Sequence, residues 1–274
     1  MINRIKKYLE KSFLAFWLLI TIYPLVFMIQ SSFKNKMEFI TESVWSLPNS
    51  FSLQNYIKAI DSGFYMYFFN SLIVSFFALV LITLTAAMAS YVISRIDFKI
   101  NSIVFILFVA GMMIPVHVTL IPIYKLTKFL GMYDSLAGLI GPYVAFSLPI
   151  SIFILTGFMQ KIPQELEEAA IIDGANKFQI FTKVILPLSK PAISTVAIYN
   201  LVMLWNEFVY ALILLSSPEK WTLTLGLWNF QGQYGIDIPL VMTVLTLSIL
   251  PLIILYIFFQ EKVIKGMTAG ALKG

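Results

Sequence analysis

Cysteine is absent from the 274 residues, and histidine occurs once, at His117. The first absence excludes disulfides, thiolate metal sites and a cysteine nucleophile, and the lone histidine argues against a histidine-based metal cluster. Charge is scarce as well. Asp, Glu, Lys and Arg make up 12% of the chain, where a soluble domain carries about 25%. What stands in their place is apolar: 59% of residues are hydrophobic and the mean hydropathy is +0.86. Such a chain is an integral membrane protein. No Gly-x4-Gly-Lys-Ser/Thr phosphate loop occurs, so ATP is not bound in the P-loop manner. No Ser/His/Asp or paired-carboxylate arrangement stands at credible positions. The expectation is a chain with no catalytic residue, no metal and no cofactor of its own. Its net charge of +5 is scattered over loops and reads as membrane topology, not as nucleic-acid binding.

Six segments are long enough to cross a hydrocarbon core, which takes about 20 apolar residues. They are roughly 12–33, 70–93, 103–125, 138–160, 191–215 and 239–260. Backbone cannot stay unpaired in lipid, so each is expected to be a helix, and the fold an all-α polytopic membrane protein forming a single domain over 1–274. The first run follows Arg4, Lys6, Lys7 and Lys11 but is too long for a signal peptide, and reads as an uncleaved span. Thirteen Lys and Arg fall in the N-terminus, the 94–102 turn, the 161–190 loop and the C-terminal tail, against six in the alternate loops. Positive residues favour the cytoplasm, so both termini and the 161–190 loop are expected inside. Pro24, Pro115, Pro122, Pro149 and Pro251 lie in or beside the apolar runs and predict kinks. His117 reads as a packed, hydrogen-bonded residue. Trp45, Tyr56, Tyr65, Tyr67, Trp221, Trp228 and Tyr234 cluster near span ends. They read as an interfacial belt, with sugar-facing roles for some as the alternative.

Residues 161–190 break the apolar pattern. They hold Glu165, Glu167, Glu168, Asp173, Lys177 and Lys183. Pro163 and the carboxylates suit a helix start, and Leu166, Ala169, Ala170 and Asp173 are spaced to share one face. Gly174 can take the positive φ that leaves a helix, Asn176 can cap the next one, and Pro187 can end it.

Glu168-Ala169-Ala170, then three residues, Gly174, then nine residues and Val184-Ile185-Leu186-Pro187, resembles the EAA loop of ABC importer permeases, with Val184 where that family usually has Ile. Further elements are similar to the carbohydrate-uptake (oligosaccharide) permeases. They are Ile114-Pro115, Ile121-Pro122-Ile123-Tyr124, Leu130 to Ser135, and Trp205-Asn206-Glu207-Phe208. The tail from Phe259 to Gly274 resembles the C-termini of second permease subunits of maltose-type importers. The resemblance implies a type I importer permease in a bacterial or archaeal cell membrane, paired in a heterodimer with a second homologous permease. It further implies two ATPase subunits that hold ATP and Mg, and an extracellular sugar-binding protein that delivers a di- or oligosaccharide. Within this chain it implies an ATPase-coupling role for Glu165, Glu168, Ala169, Ala170, Asp173, Gly174, Leu186 and Pro187. The outer loop 216–238 would meet the binding protein through Asn229, Gln231, Gln233 and Tyr234, or be a plain connector.

Glu207 is the only acidic residue deep in an expected span, so it must face protein or water. Trp205, Asn206 and Glu207 are candidates for the substrate pathway. The alternative is that Glu207 anchors a neighbouring helix or subunit. Competing functions are an ABC permease for a polyol or glycerol phosphate, an ion-coupled secondary transporter, and a structural membrane protein. A secondary transporter needs coupling carboxylates at the midplane, and only Glu207 qualifies.

Overall fold

A computed structural model of the chain describes the backbone of residues 2–233 and 237–271, and side chains within 6–228, 237–254 and 256–257. The described residues contain helices and no strand. The chain divides into two compact units, one of residues 1–65 with 226–251 and one of 66–225 with 252–274. The helices are α1 (Ile2–Ser32), α2 (Lys36–Thr41), α3 (Gln54–Asp61), α4 (Phe64–Arg95), α5 (Asn101–Gly111), α6 (Val116–Phe129) and α7 (Leu136–Met159). There follow α8 (Glu165–Ile172), α9 (Lys177–Ile180), α10 (Leu186–Leu188), α11 (Lys190–Trp205), α12 (Val209–Leu214), α13 (Leu223–Gln233) and α14 (Ile238–Ala271).

Among the described residues, three helices are unbroken and apolar enough to cross a membrane: Lys6–Ser32, Phe64–Arg95 and Leu136–Met159. Counting each bent pair as one span raises this to five, and Ile238–Ile254 is a shorter apolar helix. Two expected spans are not single helices. The 103–125 run breaks after Gly111, and α5 meets α6 at 98°. Pro115 precedes α6 with φ −66° and ψ 131°, an extended conformation that ends one helix and admits the next. The 191–215 run stops at Trp205 and restarts at Val209. Pro24, Pro122, Pro149 and Pro251 lie inside continuous helices.

Correcting a further expectation, His117 is exposed in the first turn of α6 instead of packed, because the break makes it the start of a separate helix. Belt residues also divide. Tyr67 is buried and packs against Trp221 at 6.2 Å, so it belongs to the core, whereas Tyr65 and Trp228 are exposed. Asn229, Gln231, Gln233 and Tyr234 lie outside the described side chains, although the backbone from Leu223 to Gln233, within the expected outer loop, is helical.

In the second unit α7 is central, packed against α5, α6, α11 and α12. Val74, Ala78, Ile82, Leu139, Tyr143, Tyr210 and Leu214 form one buried cluster. Asp134 pins the turn before α7 to the chain after α12. Its N–H donates to Leu214 O (2.9 Å), and its carboxylate accepts from the Ser217 hydroxyl, the N–H groups of Ser217 and Ser216, and Lys220 Nζ (3.0 Å). The Ser217 hydroxyl first, then the two N–H groups and Lys220, hold this carboxyl well below the usual carboxylate range. A depressed folded pKa stabilises the fold above the unfolded value of about 4, and that contribution fades as pH falls through the folded value. Asp134→Asn should therefore melt lower than the parent at pH 5–8 by a constant margin, and the margin should shrink below about pH 4. A pH series of thermal denaturation checks this.

Candidate functional site

The 161–190 segment is built as a presented turn. α8 opens with Glu165, Glu167 and Glu168 in its first turn, which favours its positive end. It closes in a Schellman motif: Gly174 N–H donates to Ile171 O, and Ala175 N–H donates to Ala170 O, both at 2.9 Å. Gly174 has φ +84°, the left-handed conformation its place in the sequence predicts. Asn176 and Gln179 then form a reciprocal capping box at the start of α9. Pro187 does not end the helical path. Phe181–Ile185 widens into a π turn before α10, and the path bends by 73° around Ser189 into α11. A proline cannot donate to the preceding turn, and its ring crowds the carbonyl four residues back, which the wider turn relieves.

The turn is tied from behind. Arg95 ends α4, with its side chain 4% exposed, and Nε lies 2.9 Å from Glu167 Oε1. Its Nη2 donates to Met159 O (2.6 Å) and Ile162 O (2.5 Å) at the end of α7. One guanidinium thus joins α4, α7 and α8. The Tyr91 hydroxyl donates to Lys177 O, and its ring lies 5.1 Å from Phe181. Tyr91, Met159, Ile162, Ile180 and Ile185 form the buried cluster beneath, and Ala170 packs partly on it. The four spaced residues therefore do not share one environment. Ala170 turns inward, while Leu166, Ala169 and Asp173 are exposed, as are Glu165 and Glu168. Ile171, Ile172 and Phe178 are also exposed. Leu186 is half-buried and Pro187 exposed.

The second candidate region is the gap between α11 and α12. A cavity of about 380 Å³ is lined there by Tyr143, Ser147, Tyr199, Asn200, Asn206 and Glu207, among mostly apolar neighbours. The Glu207 carboxylate accepts from the Tyr143 hydroxyl (2.5 Å) and from the N–H groups of Tyr210 (2.7 Å) and Ala211 (3.3 Å). It therefore caps the first turn of α12, whose N–H groups have no helical partners, and ties that turn to α7. Thr224 donates its hydroxyl to the Glu207 carbonyl. Asn206 is exposed, and its side-chain amide donates to Val202 O (2.8 Å). Trp205 is 4% exposed and lies edge-on to Phe68 at 5.5 Å, a packing position. Asn200 donates to Ser151 Oγ and Val196 O, while its buried Oδ1 accepts from no described protein group.

Sequence reasoning missed Arg95, Tyr143 and Asn200. In the sequence Arg95 reads only as one of the basic residues of the 94–102 turn. Asn200 carried a usable signal, since a carboxamide in the middle of an apolar span needs partners. Tyr143 carried none. Among the described residues no group of His, Asp or Glu is placed to hold a metal.

Comparison with known proteins places this architecture. Residues 82–269 match the family described as binding-protein-dependent transport system inner membrane component. A Caldicellulosiruptor sp. (strain Rt8B.4) protein named for the ABC transporter permeases is 52% identical over 262 residues, 96% of this chain and 95% of that one. The trehalose/maltose transport system permease of Thermococcus litoralis is 33% identical over 93% of each chain. A chain in the crystal structure of a bacterial ABC transporter involved in alginate import shares the fold. The TM-score is 0.84 over 94% of this chain and 96% of that one, at 22% identity. The family match over most of the chain, and relatives this similar over nearly all of it, make this protein a member of the binding-protein-dependent transport system inner membrane components.

Proposed function

We propose that this chain is one membrane subunit of an ATP-driven importer for a di- or oligosaccharide. A sugar-binding protein outside the cell delivers the solute, and a second homologous permease completes the pathway as a heterodimer. Two ATPase subunits hold ATP and Mg, so this chain is not itself an enzyme. It acts as a single permease domain over 1–274, with both termini and the 161–190 loop in the cytoplasm. Asn229, Gln231, Gln233 and Tyr234 meet the binding protein. Asn206 faces the solute, while Glu207 anchors the broken helix and Trp205 packs. The substrate class is supported by the Thermococcus relative, whose name specifies trehalose and maltose.

One observation carries the coupling role. The α8 turn is fixed from behind by Arg95 and Tyr91, yet it presents Leu166, Ile171, Ile172 and Phe178 outside the apolar spans, beside Glu168 and Ala169. A rigid turn with an unpartnered apolar tip suits a cleft on another protein. Glu168→Ala should leave membrane insertion intact and lower the amount of ATPase subunit that co-purifies. Gly174 has open space around its α-carbon, so Gly174→Val tests backbone strain alone, about 1–3 kcal/mol at this φ. Sugar uptake should fall in both variants. Wild-type uptake in both would remove the coupling role from this turn.

A further inference from the structure

The segment between α1 and α4 buries part of its polar side and exposes much of its apolar side. Lys34, Glu38 and Asn55 point inward, while Lys36, Lys58 and Asp61 stay exposed. Lys34 is fully buried, and its Nζ donates to Ser46 Oγ (3.1 Å) and Ser43 O (3.4 Å). Glu38, 6% exposed, accepts from the N–H groups of Asn35 (3.3 Å) and Asn49 (2.6 Å). Asn55, equally buried, donates to Ser32 O (2.9 Å) and Lys34 O (2.7 Å). The apolar side chains point outward. Ile40, Trp45, Leu47, Phe51, Ile57 and Ile60 are each more than half exposed. A segment surrounded by water rarely buries a lysine and a glutamate while turning six large apolar side chains outward.

The depth of the segment follows from α1. The last charged residue on that helix is Lys11, and from there to Ser32 it climbs about 31 Å, close to one hydrocarbon thickness. The Lys6–Ser32 span has no buried residue in its apolar window, so nothing else in this chain covers its sides. Trp45 does not stand beyond the end of that helix. Its ring packs 5.1 Å from Tyr23 and 6.5 Å from Phe27. Those residues sit nine and five positions before Ser32, about 13 and 8 Å back along the axis. The loop therefore folds down beside the span. α3 adds an amphipathic piece, with Ile57 and Ile60 exposed alongside Lys58 and Asp61. A lysine at such a boundary reaches the headgroups through its long stem.

We propose that residues 36–61 form an interfacial elbow immersed in the membrane leaflet at the Ser32 end of α1, with phospholipid as the occupant of its apolar surface. Interfacial helices sink their apolar face about 5–10 Å below the headgroups, which matches the depth of Trp45. The surface is continuous with the uncovered apolar side of α1, and the inward-turned Glu38 and Asn55 lower the cost of leaving water. The elbow fixes the height of α1 in the bilayer, whatever solute the transporter carries.

The absence of cysteine allows a clean test. Single-cysteine variants Phe51→Cys and Ile57→Cys on the apolar surface, with Asp61→Cys as the polar control, carry a polarity-sensitive fluorophore. The full complex is placed in phosphatidylethanolamine and phosphatidylglycerol liposomes, and retained uptake certifies each variant, with Leu47→Cys replacing any that fails. Sites 51 and 57 should be quenched by lipid spin-labelled near the headgroup at least about three-fold more strongly than by aqueous iodide, with site 61 reversed. Adding binding protein should leave the ratios unchanged. Iodide quenching at 51 and 57 equal to that at 61 would put the elbow in water and overturn the proposal. Exclusion of both quenchers would overturn it in favour of a second membrane subunit as the occupant, and protection that appears only with binding protein would assign the surface to that protein.

Discussion

Glu207→Ala should destabilise the assembled protein by at least about 3 kcal/mol. It strands the Tyr143 hydroxyl and the N–H groups of Tyr210 and Ala211 in a half-buried position, at about 1–3 kcal/mol for each unpaired group. Glu207→Gln should be mild, about 1 kcal/mol or less. Its carbonyl oxygen can face the two N–H groups and its amide can face the tyrosine oxygen. Tyr143→Phe should cost about 1 kcal/mol alone and add little to Glu207→Ala, because both changes remove the same contact. Thermal unfolding of the purified complex reads these differences. A structural anchor also predicts that Glu207→Gln preserves the ranking of sugars in uptake. Normal stability with a changed ranking would move Glu207 into contact with the solute.

Arg95→Ala should be at least as severe. The guanidinium is nearly fully buried, pairs with Glu167 and caps two carbonyls at the end of α7. Its removal leaves an uncompensated carboxylate and two orphaned acceptors, a loss on the order of 3–5 kcal/mol. Glu167→Gln retains an acceptor for Arg95 and should cost much less, about 1 kcal/mol. Because Arg95 holds the α8 turn to the spans, both variants should lower transport per ATP hydrolysed more than they lower ATP hydrolysis itself. The ratio of sugar moved to phosphate released, measured in proteoliposomes, is the check. An unchanged ratio in Arg95→Ala would confine the residue to stability.

The sequence carried the repeating elements well and the breaks poorly. Apolar run length located the helical segments because hydropathy is summed over many residues. Gly174 and Asn176 were legible because a left-handed exit and an N-cap each demand a narrow set of residue types. The α5–α6 break was only half legible. Pro115 is visible, but Pro24, Pro122, Pro142, Pro149 and Pro251 in the apolar runs sit inside helices without breaking them, and which proline interrupts depends on the packing around it. The α11–α12 gap has neither glycine nor proline. It is held by Glu207, whose partners lie on α7 and α12, so its geometry depends on tertiary contacts that no local pattern encodes. Arg95 and Glu167 are 72 positions apart, counted along the chain, and periodicity cannot pair them. His117 misled for the same reason, since its exposure follows from a break that hydropathy averages away.

The most direct test is uptake of a labelled sugar panel by proteoliposomes containing the full complex, with and without internal ATP and with and without a protonophore. The account predicts that at least one di- or oligosaccharide accumulates only when ATP and the binding protein are both present, that the protonophore has no effect, and that omitting this chain abolishes uptake. Uptake that continues without ATP and collapses with the protonophore would contradict it.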